Sequence, residues 1–155
     1  ASLRISCAVL LGLAGRRPQN TEAGRIDIWW RGYTNGSLML ILAHLLTLNP
    51  AWHRVHIRIL RIAKTEAEER GASAELERLI RVSRIAAETK VFVTADPFSA
   101  TLRRESRDAL ALFLGFVLPP EDSAAVTLFE STARVLDGMP PAFLISTSGA
   151  ADLLA

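Results

Sequence analysis

Residues 109–117, ALALFLGFV, form an apolar run between the charged stretch 103–108 and the pair Pro119–Pro120. A strand with one wet face alternates apolar and polar residues, whereas a strand covered on both faces has no reason to. A run without any charge therefore predicts a strand over residues 110–117, set in a parallel sheet with helices on both sides. Residues 142–146, AFLIS, repeat the pattern and predict a last strand over 142–147.

Outward from these two runs, the same rhythm returns earlier in the chain. Residues 26–31, 55–62 and 90–95 are short apolar stretches rich in branched or aromatic side chains, each followed by a turn and a segment of helical spacing. In residues 36–48, Leu38, Ile41, Leu42, Leu45 and Leu46 recur at intervals of three and four, which predicts a largely buried helix with a wide apolar stripe. Thr65 with Glu68 makes a capping-box pattern for the next helix, whose inner face continues through Leu76, Leu79, Ile80 and Ser83. Gly71 is expected to break that helix near its first turns, since an interior glycine costs about 1 kcal/mol relative to alanine. Residues 98–107 predict a short helix. Residues 122–136 predict a longer one with Val126, Phe129, Ala133 and Leu136 on one side and Gly138 as its stop.

Strands alternating with helices through short connections imply an α/β fold. The expected architecture is a three-layer, doubly wound, mostly parallel sheet of five to six strands in the order 3-2-1-4-5. Residues 5–11 add an extra N-terminal strand, of undecided direction, through the polar loop 12–24. The whole chain, 1–155, reads as one cytoplasmic α/β domain: extra strand and loop over 1–25, repeating core over 26–148, tail over 149–155.

Composition bounds the function. A chain of 155 residues buries a proper core. Eighteen basic against 16 acidic residues leave a formal charge of only +2, which argues against nucleic acid as a partner. Cys7 is the single cysteine, so no internal disulfide forms, in keeping with a reducing compartment. The longest apolar runs fall well short of the roughly 20 residues of a membrane helix. The apolar opening, residues 1–15, runs into Arg16 and Arg17 without a signal-peptide cleavage pattern, so a first strand is the better reading.

No GxxxxGK[ST], GxGxxG, GxSxG, HExxH or CxxC occurs, and no catalytic, cofactor-binding or metal residue is assigned. His53 and His56 flank the start of a strand and point to different faces, His44 lies in an apolar helix, and no third ligand has suitable spacing. Asp27 shares a strand face with Trp29 and Arg31. A carboxylate there needs a partner, and Arg58 in the neighbouring strand supplies it. Arg54, Arg58, Arg61 and Lys64 spread over two strand faces beside Glu66, Glu68 and Glu69, the pattern of a solvated edge rather than an anion patch. Trp29, Trp30 and Trp52 read as core or rim residues.

A doubly wound sheet opens a crevice where the strand order reverses, here between the strand ends at Arg31 and Val117. One wall is expected to be the loop Gly32, Thr34, Asn35 and Gly36 feeding a helix N-terminus, and the other Pro119, Pro120, Glu121 and Asp122. Two prolines remove backbone donors and two carboxylates repel phosphate, which disfavours a nucleotide there.

Two blocks resemble a known family. RIDIWWRG, residues 25–32, followed by NGSLMLILAHLLTLNPAW, residues 35–52, is similar to the cytoplasmic domains of cation-chloride cotransporters. SRDALALFLGFVLPP from Ser106, with PPAFLIS over 140–146, resembles the family's later strand, helix and final strand. The resemblance implies the C-terminal cytoplasmic domain of a Na-K-Cl-type cotransporter, on the cytoplasmic side of the plasma (inner) membrane, with a universal-stress-protein-like fold. It implies a homodimer, packed with the transmembrane domain of its own transporter, and transport performed by membrane helices outside this segment. The short middle of the chain implies a prokaryotic homologue. ATP-binding universal stress proteins carry Gly-x-x-Gly after the fourth strand, where this chain has Gly115-Phe-Val-Leu and then Pro119-Pro120, so no cofactor is expected.

The leading expectation is thus a regulatory and dimerisation domain without enzymatic activity. The alternative is a stand-alone nucleotide-binding sensor of the stress-protein kind. A hydrolase or transferase ranks last, because no histidine pairs with a serine or with Cys7 in this topology.

Overall fold

The computed structural model describes residues 6–12 and 24–148. The greater part of the expected loop 12–24, the tail 149–155 and the first residue of the strand expected over 5–11 lie outside the described residues. The elements are β1 (Cys7–Leu11), β2 (Arg25–Trp29), α1 (Tyr33–Thr47), a 3-10 turn (Pro50–Trp52), β3 (His56–Ala63), α2 (Glu66–Ser83), β4 (Ala87–Val93), α3 (Phe98–Ser106), β5 (Ala111–Gly115), α4 (Asp122–Val135) and β6 (Ala142–Ser146).

The six strands form one sheet in the order β1-β6-β5-β2-β3-β4. Every pair is parallel except β1 with β6, which settles the direction of the extra strand: Cys7 lies opposite Ser146 and Leu11 opposite Ala142. Counted from β2, the parallel strands read 3-2-1-4-5 from the β4 edge inward.

Period-two alternation sorts the strand residues into two cores. Ile26, Ile28, Ile57, Ile59, Phe113 and Ile145 pack under α1 and α2 through Met39, Leu40, Ala43, Leu76 and Leu79. Trp29, Leu60, Leu112, Leu114 and Leu144 face the other way, under Leu102 of α3 and Phe129, Val135 and Leu136 at α4. Central strands β2 and β5 are buried almost residue for residue, as an apolar run without alternation requires. Edge strand β4, AETKVFV, keeps a half-exposed alternating pattern with Glu88 and Lys90, which blunts the sheet edge.

Several expectations need correction. β4 begins at Ala87 and ends at Val93 rather than spanning 90–95, because its first turn of sequence pairs with β3 from Ile57 onward. α1 starts at Tyr33, not at residue 36, so Thr34, Asn35 and Gly36 belong to the helix. Gly36 is needed there, since a Cβ would fall 2.3 Å from the Trp30 ring. The buried face of α1 is Met39, Leu40 and Ala43; Leu38, Leu42 and Leu46 are only partly buried and Leu45 points outward. α2 runs unbroken through Gly71, where added side-chain atoms would meet nothing and the cap at Thr65 already holds the first turn. In that cap the Thr65 hydroxyl accepts from the Glu68 amide, while the Glu68 carboxylate accepts from Lys64 N rather than from the cap residue itself. On α4 the inward residues are Leu128, Phe129, Thr132 and Val135, and Val126 and Ala133 are exposed.

Candidate functional site

The amino ends of the strands hold a closed polar network. Asp27 of β2 is fully buried, and the parallel register places it directly opposite Arg58 of β3. Arg58 grips it with two parallel bonds, Nε to Oδ1 at 2.9 Å and Nη2 to Oδ2 at 2.8 Å, the strongest geometry available to this pair. Ser106 Oγ donates to Asp27 Oδ2 at 2.6 Å and accepts from Trp29 Nε1 at 3.1 Å, while Arg25 Nε approaches Oδ1 at 3.4 Å. Burial works against the Arg58 charge, but the hydrogen bond and charge of Asp27, with Glu88 and Glu105 adding to them, outweigh it and hold the guanidinium above its ordinary pKa.

The same arginines finish α3. Glu105 O, one of the carbonyls that a helix leaves without an intrahelical partner, accepts from Arg58 Nη2 at 2.8 Å and from Arg25 Nη2 at 3.0 Å. Two positive groups at a helix C-terminus also complement its dipole. The Trp29 ring is fixed between Phe92, stacked at 6.1 Å, and Phe98, edge-on at 5.3 Å. The pair expected from sequence, Asp27 with Arg58, is therefore present, as part of a larger assembly that ties α3 to the sheet.

The carboxyl ends are open. A cavity of about 530 Å³ lies where the strand order reverses, bordered by Arg31, Thr34 and Asn35 after β2 and by Leu114, Phe116 and Val117 of β5 and the segment after it. Its opposite wall differs from the expectation. Instead of Pro119, Pro120, Glu121 and Asp122, the inner face of α4 closes it, with Leu128, Phe129, Ser131, Thr132 and Val135, so the two carboxylates stand away from the space they were expected to guard. Asn35 pins the rim: its Nδ2 donates to Phe116 O at 2.8 Å and its Oδ1 accepts from Thr147 N at 2.9 Å. Arg31 lies over the Phe98 ring at 5.1 Å, a cation–π contact at the mouth.

α4 is a light roof. None of its residues is fully buried, and Phe129 meets Phe116 edge-on at 5.6 Å. Its end is held from α3: Arg103 Nη1 donates to Asp137 O at 2.9 Å, and Nη2 donates to Val135 O at 2.8 Å and Arg134 O at 3.3 Å. A second cavity of about 330 Å³ lies beyond that end, between Leu11 and Gly12 and residues Leu136 to Pro140.

The other singled-out residues do not converge. His53 sits in the turn after the 3-10 segment, its Nδ1 2.6 Å from Pro50 O; His56 opens β3 on an exposed site; His44 lies in α1. Among the described residues no group of His, Cys, Asp or Glu is arranged to hold a metal ion. Cys7 lies half-buried on β1. The four basic positions part company: Arg58 turns inward to Asp27, Arg61 pairs with Glu75 at 2.6 Å, and Arg54 and Lys64 stay exposed. Trp29 and Trp30 are core residues and Trp52 packs at its margin.

Sequence reasoning missed Ser106 and Arg103. Both lie on α3, and only its tertiary placement brings them to Asp27 and to the end of α4. A serine in the last turn of a short helix was the available signal for the first; the second had none.

A family model described as solute carrier family 12 matches residues 16–109 of the chain. The match covers β2 through α3, and so takes in every side chain of the Asp27 network. No helix of the described residues is long and apolar enough to cross a membrane.

Proposed function

Since the chain belongs to solute carrier family 12 and is a cation-chloride cotransporter-related protein, we propose that it is the cytosolic regulatory and dimerisation domain of a Na-K-Cl-type cotransporter. Coupled ion movement belongs to transmembrane helices, against whose cytoplasmic side this domain packs. The domain itself is non-enzymatic, and its fold is of the universal-stress-protein kind in a prokaryotic form. Support for the non-enzymatic reading comes from Ser106, the serine best placed beside a carboxylate: it is fully buried and its hydroxyl proton is committed to Asp27.

The observation that carries the dimerisation reading is α1. Its sequence, YTNGSLMLILAHLLT, contains no Asp, Glu, Lys or Arg, and beyond its buried face Leu45 is 54% exposed, with Leu48 just after it at 64%. An outward row of leucines on a helix without Asp, Glu, Lys or Arg favours cover, and a second copy of the same face covers it without stranding such a charge. Sedimentation of the chain at rising concentration is expected to show a dimer, and Leu45→Lys to return it to monomer with an unchanged circular dichroism spectrum. A wild-type monomer at high concentration removes the dimerisation half of the proposal. Deleting residues 26–148 from the parent transporter is expected to change its flux set-point; unchanged flux removes the regulatory half.

A further inference from the structure

We infer that the cavity at the carboxyl ends of β2 and β5 binds a small amphipathic carboxylate, a molecule with an apolar body and a single acidic head held by Arg31. The inference does not depend on dimerisation.

Its volume, about 530 Å³, falls within the roughly 300–1,000 Å³ of small-molecule sites. The depth is apolar, built from Met39, Leu114, Val135 and Leu144. Among the described residues, Arg31 at the mouth is the only charged one in the lining, and it has no carboxylate partner. The field there selects an anion.

The remaining polar groups narrow the choice further. Asn35 already donates to Phe116 O and accepts from Thr147 N, and the Ser131 and Thr132 hydroxyls both donate to Leu128 O within α4. The one cation left is a guanidinium fork, the geometry that matches one carboxylate through two parallel bonds, with the Thr34 hydroxyl beside it in the lining. A triphosphate carries several negative charges, and Arg31 is the single cation among the described lining residues to meet them. A neutral apolar molecule would use the depth and leave the fork idle.

The test is calorimetry and thermal melting of the 155-residue chain at pH 7 with decanoate, decanol and ATP, each below any micelle-forming concentration. Decanoate is expected to bind one per chain and to raise the melting midpoint, with decanol at least tenfold weaker. Arg31→Gln should bring decanoate down to the level of decanol without moving the unliganded midpoint. Thr132→Phe, which pushes a ring into the cavity from α4, should abolish binding of both while the far-ultraviolet spectrum is kept. Absence of decanoate binding overturns the inference, as does equal affinity for decanol, indifference to Arg31→Gln, or binding that survives Thr132→Phe. ATP binding more tightly than decanoate, and lost with Arg31→Gln, overturns it in favour of a nucleotide.

Discussion

The two ends of the central sheet treat charge in opposite ways. At the amino end Asp27 is fully buried, and its two oxygens are met by Arg58, Ser106 and Arg25. At the carboxyl end Arg31, on the same stretch of chain, faces a cavity and rests on an aromatic ring. Removing a charge from water is tolerable only when a partner and hydrogen bonds replace the solvent, so the first arrangement has to be complete to exist at all. The second keeps contact with solvent and needs no partner. One end is architecture; the other is open to an exchangeable partner.

Breaking the closed end should have the largest effect. Asp27→Ala leaves Arg58 and Arg25 crowded without their anion and is expected to cost about 3–5 kcal/mol in urea unfolding; a loss below about 1 kcal/mol would mean that the network does not hold α3. Ser106→Ala removes a donor from a buried carboxylate and an acceptor from Trp29 together, with an expected cost of about 1.5–3 kcal/mol by the same measurement.

At the open end the backbone, not the charge, is expected to matter. Gly36→Ala drives a methyl group into the Trp30 ring and should cost about 1–3 kcal/mol. Arg31→Gln should change stability by no more than about 0.5 kcal/mol, as at an ordinary surface position. A large loss there would erase the distinction between the two ends.

The smallest effect should come from the exposed periphery of the network. The hydrogen bond from Arg104, and then that from Thr94, hold the Asp96 carboxyl below its ordinary pKa. A carboxylate with a lowered folded-state pKa adds stability above its unfolded value, near pH 4, and loses it as pH falls through the lowered value. The difference in melting midpoint between wild type and Asp96→Asn should therefore be slight at pH 6 and shrink as the pH falls below about 4. A difference that grew in acid would have the wrong sign for this pair.

Much of the closed end was legible because it follows from strand arithmetic. Alternation put Asp27 and Trp29 on one face, adjacency of β2 and β3 put Arg58 across from Asp27, and apolar runs without alternation marked the parallel sheet. Ser106 escaped because no local pattern says where the last turn of a nine-residue helix will land. The open end was legible only in position. Its crevice lies where the reversal of strand order places it, but the far wall was misassigned because α4 mixes alanine and threonine with its apolar residues, so that two helical faces compete. Val126 and Ala133 are exposed while Leu128 and Thr132 turn to the cavity, a choice set where Phe129 meets Phe116 and not encoded by periodicity alone. The faces of α1 were ambiguous for a related reason: a helix without charged residues gives no polar side from which to infer the buried one.

Arg103 gives α3 a mechanical role beyond its share of the core. Anchored through Glu105 to the sheet at one end and reaching the last carbonyls of α4 from its middle, this nine-residue helix works as a strut between a rigid floor and a lightly packed roof. Lifting the end of α4 from the sheet must either rupture three carbonyl contacts together or drag α3 along, so α3 and the end of α4 hold their places as one unit.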